Sequence, residues 1–308
     1  MSEPGFYFVE QRSGTAWRPG GIWFFDGETA LLISSGLPAA SFSVNGGETI
    51  DDAAARCFSS MWPQSEEIRI SPSSLCPGQF YCKIARPIES KHWNNYSIQL
   101  PLHRPGAPEN IDNQTHLRTL INLLDRILLV VYPSQDTLQT YGYEIRNLLI
   151  LACTECEAQW RAVLEANGYL KNRYTTKDYV RLERAMKLRD YEVSFRRYPL
   201  FKPVKPFGRW DLAGNPTKDL SWYDAYNATK HNRIGSMREA SLGNAMTALA
   251  ACWVMQIAQH GGPFNGDVQD VREYFEMNAR PKWEITESYI FLVRDEYHQP
   301  FTGVNYPF

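Results

Sequence analysis

The sequence contains no hydrophobic run long enough to cross a membrane. Its uninterrupted apolar runs, such as that from Ile127 to Tyr132, are all far shorter than the roughly 18 residues that indicate a transmembrane helix. The first residues, MSEPGFYFVEQRSG, carry neither the basic stretch nor the apolar segment of a secretory signal. We therefore expect a cytoplasmic protein with no membrane partner.

The six cysteines follow no disulfide framework. Cys153 and Cys156 form a C-x-x-C, but this motif lies within a helical pattern rather than after a strand. No second pair of Cys or His residues follows at the spacing that a zinc site requires. Because a cytosolic chain of 308 residues does not need disulfides to fold, we expect free thiols, with no metal and no cofactor.

The net charge is also small, at −2, but it is unevenly distributed. Residues 171–218 contain thirteen lysines or arginines and five acidic residues, a local charge of +8, so the rest of the chain carries −10. Such a segment indicates a surface for a polyanion such as RNA or a nucleotide, and the alternative is a solvated helix followed by a loop. Arg196 and Arg197 in this segment are candidate binding residues.

Residues 1–105 have the pattern of a small β-rich module. Short aromatic and β-branched runs, such as GFYFVEQ and GIWFFDG, alternate with clusters of Gly, Pro, Asn and Ser, which predicts five to seven strands. One helix is predicted at Thr49–Met61. We find no phosphate-binding loop, nucleophile elbow or metal signature in this module.

Residues 103–113 mark a boundary, because the hydrophobic period changes there from two to 3.6. The predicted fold class is α+β: a β-rich module (1–105), an antiparallel helical bundle (110–262) and a mixed C-terminal extension (263–308), in which WEITESYIFLV is compatible with a strand. An apolar fifth helix is expected at the centre of the bundle. The five helices are predicted at 112–132, 137–166, 175–195, 220–234 and 239–259.

Two charged residues lie at the edge of the apolar arc of the second helix, namely Arg146 and Glu157. A charge in that position needs a partner or an aqueous cleft, because burial of a lone charge is very costly. One interpretation is that Arg146 extends to solvent while Glu157 pairs with another helix. The other is that both residues line a functional cleft.

The fourth helix, SWYDAYNATKHNRIG, combines aromatic and polar residues. A helical projection places Lys230 and Arg233 inside the inward-facing aromatic stripe, with Asn227 and His231 beside it. Such a group suits a phosphate, since Lys and Arg bind its charge and His can move a proton near neutral pH. The alternative is a buried ionic network, for example with Glu157. The apolar centre of the stripe comprises Trp222, Tyr223, Tyr226 and Ile234, of which Trp222 and Tyr226 are candidate binding residues.

Three segments together resemble the HEPN superfamily of helical-bundle domains, which is common in prokaryotic toxin–antitoxin and abortive-infection systems. They are YGYEIRNLLILACTECEAQW (141–160), WYDAYNATKHNR (222–233) and SLGNAMTALAACWVMQIA (241–258). The resemblance implies a homodimer and metal-independent RNA cleavage that uses an Arg and a His separated by four to six residues. His231 matches that His. Asp224, Ala225 and Tyr226 stand where the Arg is expected, so Asn227, Lys230 or Arg233 would have to replace it, with Arg146 or Glu157 completing the site.

Three hypotheses about function follow. In the first, the protein binds or cleaves RNA, with His231 as general base or acid and with Lys230 and Arg233 stabilising the developing charge. In the second, the helical part is a non-catalytic module that binds a partner protein, a nucleotide or nucleic acid. In the third, the ionic helix is only structural, and the active surface lies in the aromatic-rich module of residues 1–105.

Overall fold

The computed structural model describes residues 5–32, 41–61, 63, 64, 66–76, 78–86, 107–232, 235–261, 269–289 and 302–308. The fold is α+β, as predicted, and the chain divides into two compact units. The sheet unit comprises Met1–Phe80, Arg86–Gln99 and Lys282–Gly303, and the helical unit comprises Tyr81–Ala85, Leu100–Pro281 and Val304–Phe308, each as far as the structure describes it.

The sheet unit contains a five-stranded antiparallel sheet in the order β4-β3-β2-β1-β5, with one helix packed on it. Residues such as Tyr7 and Val9 alternate along β1 and face the core with Trp23, because side chains along a strand alternate between its two faces. Phe58 of the helix packs on Trp23 at 5.1 Å between ring centroids. Strands and a helix therefore lie where they were predicted in the described part of residues 1–105, and residues 87–105, with the predicted strand YSIQLPL, lie outside that part. The bounds of the strands and helix are β1 Gly5–Ser13, β2 Ala16–Phe25, β3 Thr29–Leu32, β4 Ser41–Ser43, α1 Ile50–Met61 and β5 Glu67–Pro72, and β6 (Gln79–Tyr81) follows.

The helical unit contains most of the remaining elements and has one large hydrophobic core. Its elements are α2 Ala107–Leu128, α3 Tyr143–Ala166, α4 Thr176–Tyr179, α5 Arg181–Met186, β7 Glu192–Phe195, α6 Ser221–His231, α7 Leu242–His260, α8 Gln269–Tyr274 and β8 Phe275–Ala279. Strand β7 pairs with β8, and β9 (Thr302–Val304) pairs with β6.

Helix α7 lies at the centre of the helical unit, as its all-round apolar sequence predicts. It packs against α2, α3 and α6, and fifteen of its nineteen residues are buried. Ser241 begins the helix, since its hydroxyl accepts a hydrogen bond from the backbone N–H of Asn244. None of the helices in the described part of the chain is both long enough and apolar enough to cross a membrane.

The prediction of a single helix over 175–195 is wrong. The helix ends at Met186, because Lys187 adopts a left-handed conformation (φ 49°, ψ 45°). The following residues, Glu192–Phe195, form β7, in which Val193 and Phe195 are buried. That strand is stabilised by antiparallel pairing with β8, some eighty residues later in the chain.

Other predicted bounds also change. Residues 107–113 are the first part of α2 rather than a linker, and α2 ends at Leu128 rather than near 132. The predicted helix 137–166 is divided into a short 3-10 turn, Gln135–Gln139, and α3. Within WEITESYIFLV, Ile285–Glu287 is a 3-10 turn, and its last four residues lie outside the described part of the chain.

The last part of the chain contributes contacts to both units. In the sheet unit, the backbone N–H of Ser74 donates to the carbonyl of Thr286 at 3.3 Å, and the Ser74 hydroxyl donates to the same carbonyl at 2.8 Å. In the helical unit, the backbone N–H of Tyr306 donates to the side-chain oxygen of Asn167 at 2.9 Å. Each unit is therefore stabilised by hydrogen bonds between residues that are far apart in sequence.

Candidate functional site

Helices α3 and α6 run antiparallel, and their contact brings most of the predicted site residues together. Arg146, near the start of α3, contacts Thr229, near the end of α6. Glu157, further along α3, contacts Tyr223, near the start of α6. We call the side chains along this contact the α3–α6 cluster: Arg146, Glu157, Tyr223, Tyr226, Asn227, Thr229 and Lys230.

Trp222, a predicted binding residue, lies in the core. Only 1% of its surface is exposed, and its indole N–H donates to the carbonyl of Pro206 at 2.9 Å. Its ring lies 6.0 Å from that of Trp160, which is itself fully buried. Trp222 therefore anchors the start of α6 and has no surface with which to bind a ligand.

Glu157 and Tyr223 join the middle of α3 to the first turn of α6. The phenolic hydroxyl of Tyr223 donates a hydrogen bond to Oε1 of Glu157, and Tyr223 is 5% exposed. Burial raises the pKa of Tyr223 far above its usual value, and the neighbouring carboxylate raises it further. Tyr223 therefore stays protonated and donates at any physiological pH. The interpretation that Glu157 pairs with another helix is confirmed.

Arg146 fixes the other end of α6. Its Nη2 donates to the backbone carbonyl of Thr229 at 3.2 Å, and this carbonyl belongs to the last turn of the helix. The last four carbonyls of a helix lack partners within it and carry a partial negative charge, so a cation at this position satisfies both needs. The Thr229 hydroxyl bonds back to the carbonyl of Ala225 at 2.9 Å.

Lys230 and Tyr226 form a contact at the surface of α6. The Lys230 ammonium lies 3.0 Å from the Tyr226 hydroxyl and 5.0 Å from the ring centroid. This hydrogen bond is the main reason that the pKa of Lys230 is raised. Tyr226 is 2% exposed, but Lys230 is exposed. The prediction of an inward-facing Lys230 is therefore wrong, because its long side chain extends past the aromatic ring to solvent.

The remaining predicted catalytic residues are Asn227, His231 and Arg233. Asn227 is half-buried, and its side-chain amide donates to the carbonyl of Tyr223 at 3.1 Å. His231 is the last residue of the helix, and its side chain lies outside the described part of the structure. Arg233 lies outside the described residues altogether. Among the described side chains of the α3–α6 cluster, Lys230 is the exposed cation, and Arg146 is half-buried.

Arg196 and Arg197 contact other elements than α6. Arg196 pairs with Glu276 of β8 at 3.7 Å, and Arg197 pairs with Asp125 of α2 at 2.8 Å. Asp125 also accepts a hydrogen bond from the Tyr198 hydroxyl at 2.6 Å. Their charges are therefore partly compensated within the helical unit.

Tyr223 was predicted to be part of the apolar stripe, and Thr229 was not among the predicted site residues. Tyr223 had a detectable signal, since a charged residue at the edge of an apolar arc requires a partner and a tyrosine on a facing helix can donate to it. The role of Thr229 depends on its backbone carbonyl, which every residue has, so no residue type at position 229 indicates it.

No group of three or more metal-binding side chains is arranged to hold an ion within the part of the chain that the structure describes. All six cysteines are free thiols, although the sulfurs of Cys156 and Cys252 lie only 3.5 Å apart in the core. No protein-family model, no curated protein and no solved structure matches the chain. Functional inference therefore depends on the residues of this chain.

Proposed function

We propose that this is a HEPN-like protein of a prokaryotic defence or stress system and that its helical unit binds RNA. The observation that carries the proposal is the exposure of the basic segment 171–218, in which eleven of the thirteen lysines and arginines are exposed. Most of these charges face solvent, in a protein whose remainder is acidic, so they favour a polyanionic partner. The segments that resemble HEPN domains supply α3, α6 and α7, which pack against one another.

The binding function has stronger support than the cleaving function. Arg146 and Glu157, the residues available to complete a catalytic group, are both bonded to α6. Asp224, Ala225 and Tyr226 occupy the positions of the expected Arg. In the cleaving version, His231 would transfer the proton of the attacking 2′-hydroxyl, while Lys230 and Arg233 would stabilise the charge that develops on the phosphate.

Binding and cleavage of RNA can be separated with one purified protein. Binding is measured by fluorescence anisotropy of labelled cellular RNA, and cleavage by gel electrophoresis of the same RNA. We expect binding that weakens steeply as salt rises. Absence of binding at low salt would contradict the proposal.

The variant His231→Ala tests the catalytic role. Its matched control is His116→Ala, since His116 is an exposed histidine of α2 that lies 3.5 Å from Glu155. Loss of cleavage in the first variant alone would establish a ribonuclease. If the RNA stays intact with wild type and with both variants, the protein is a non-catalytic module that binds RNA or a partner protein.

The proposal includes a homodimer in the cytoplasm, because the domains that these segments resemble act as dimers. Light scattering of the purified protein over a range of concentrations measures the mass directly. A mass that remains at the 35.4 kDa of one chain at every concentration would overturn this part of the proposal.

A further inference from the structure

Helices α4 and α5 form one nearly continuous helical segment, Thr176–Met186, on the basic part of the helical unit. Val180, between them, has φ −62° and ψ −16°, so the backbone remains in the right-handed helical region. With 100° per residue, Lys177, Arg181 and Arg184 fall within about 60° of one another on this segment. They therefore lie along one face, over an axial length of about 10 Å.

The acidic residues of the segment lie on other faces. Asp178 and Glu183 lie about 90° and about 130° from the centre of this cationic face, on opposite sides of it. Asp178 is 6% exposed and is fully engaged, since Lys171, Tyr169 and Thr175 all donate hydrogen bonds to its carboxylate. The positive charge of the face is therefore not neutralised from within the segment.

A fourth cation comes from the loop before α6. The hydroxyls of Thr176 and Thr217 form a hydrogen bond at 2.8 Å, and the next residue after each of them is a lysine, Lys177 and Lys218. Lys218 is exposed. Asp219, beside it, is directed toward the backbone at Gly214. We call Lys177, Arg181, Arg184 and Lys218 the cationic stripe.

No cation of the stripe lies within 4 Å of a carboxylate oxygen in the described part of the chain. Arg181 lies instead over the ring of Tyr169, 5.4 Å from its centroid. By contrast, Lys171, Arg189, Arg196, Arg197 and Lys205 each lie within 4 Å of an aspartate or glutamate oxygen. The stripe is therefore a row of uncompensated charges, whereas the charges of those five residues are partly compensated.

We infer that the cationic stripe binds the phosphodiester backbone of a single RNA strand, an inference that rests on the proposed function. A single strand carries one negative charge per nucleotide, so a row of cations along one helix face can contact a row of phosphates. Two of the four residues are arginines, whose planar donors fit phosphate oxygens. Because the contacts are to the backbone, the stripe positions the strand and reads no sequence.

The test compares two triple variants that change the net charge equally. The stripe variant carries Lys177→Gln, Arg184→Gln and Lys218→Gln, and leaves Arg181 on its aromatic ring. The control variant carries Arg189→Gln, Arg196→Gln and Lys205→Gln, which removes cations that have carboxylate partners. Affinity for a labelled oligouridylate strand is measured over a range of salt concentrations, and urea unfolding shows whether each variant is folded.

For the stripe variant we expect the slope of log K against log salt to decrease by about 2, because each phosphate contact on a single strand contributes about 0.7. The control variant is expected to keep most of the wild-type slope. If wild type does not bind the strand, the proposed function itself fails. If wild type binds the strand but the slope decreases equally in the two variants, the stripe is not an RNA site. The same conclusion follows if polyglutamate displaces the strand at equal charge concentration. In both cases only this inference fails.

Discussion

The hydroxyl of Tyr223 donates a hydrogen bond to the half-buried carboxylate of Glu157, and this bond joins α6 to α3. Tyr223 also packs against Trp160, with 5.4 Å between ring centroids. The pair thus connects an acidic side chain at the edge of the cluster to the aromatic core beneath it. The pair therefore holds the start of α6 against α3, and this fixes the position of α6 and of the residues at its other end.

We expect Tyr223→Phe to lower the free energy of unfolding by about 1–3 kcal/mol, because the carboxylate of Glu157 loses its buried donor. Urea unfolding measures the change. The control is Tyr226→Phe, which removes a hydroxyl bonded to the exposed Lys230 and is expected to cost less than about 1 kcal/mol. A larger loss for the control than for Tyr223→Phe would contradict the role assigned to this pair.

Alkaline pH is expected to destabilise the helical unit through its buried tyrosines. Burial is the main cause that raises the pKa of four of them, to about 12 for Tyr179 and Tyr198 and higher for Tyr223 and Tyr274. The unfolded chain releases these protons near pH 10, while the folded chain retains them. Their stabilising contribution is therefore complete below about pH 10 and is lost as pH rises above it.

Phenolate absorbance measured against pH, with and without urea, tests this expectation. The four tyrosines are expected to ionise together with unfolding rather than before it. In Tyr198→Phe, the decrease in the free energy of unfolding between about pH 9 and about pH 11 should be smaller than in wild type. A folded protein whose tyrosines all titrate near pH 10 would contradict the burial described for them.

Acid pH is expected to weaken the turn that begins α4. Burial disfavours the charged form of Asp178, but hydrogen bonds from Lys171, Thr175 and Tyr169 outweigh it and hold the pKa well below its usual range. The stabilisation is therefore complete above the unfolded pKa of about 3.9 and is lost as pH falls below it. We expect Asp178→Asn to cost about 1–3 kcal/mol at neutral pH.

Urea unfolding of wild type and Asp178→Asn from about pH 6 to about pH 3 checks the sign, since the difference between the two proteins should narrow as pH falls. Asp190→Asn provides the control, because Asp190 is exposed in the same part of the chain and its replacement should change stability by less than about 0.5 kcal/mol. A difference that is constant with pH would contradict the account.

Three of the six thiols are expected to be unreactive in the folded protein. Cys153, Cys156 and Cys252 are fully buried, and burial raises the pKa of Cys153 and Cys156, so neither thiol forms the reactive thiolate. Cys57, Cys76 and Cys82 are at least partly exposed. A thiol reagent followed by mass spectrometry should label these three in buffer and all six in denaturant. Rapid native labelling of Cys252 would contradict the packing of α7.

Local sequence patterns were sufficient for elements whose partners are near in sequence. The alternation in β1 and β2 and the apolar surface of α7 predict their structures, because each pattern reflects burial on a known face. Strand β7 was missed, since its pairing depends on β8, which no local pattern identifies. The exposure of Lys230 was missed for a different reason: a helical projection gives the direction of a Cα–Cβ bond but not the course of four further carbon–carbon and carbon–nitrogen bonds.

The contacts that Thr286 and Tyr306 make have a consequence for synthesis of the protein on the ribosome. Ser74 forms its hydrogen bond with Thr286, which is synthesised about two hundred residues later. Asn167 forms its hydrogen bond with Tyr306, which follows almost one hundred and forty residues later. Domains usually fold one after the other as the chain emerges, from the N-terminus onward. Here neither unit can complete its contacts in that order. Both units are therefore expected to complete folding only after the segment that contains Thr286 and Tyr306 has been translated.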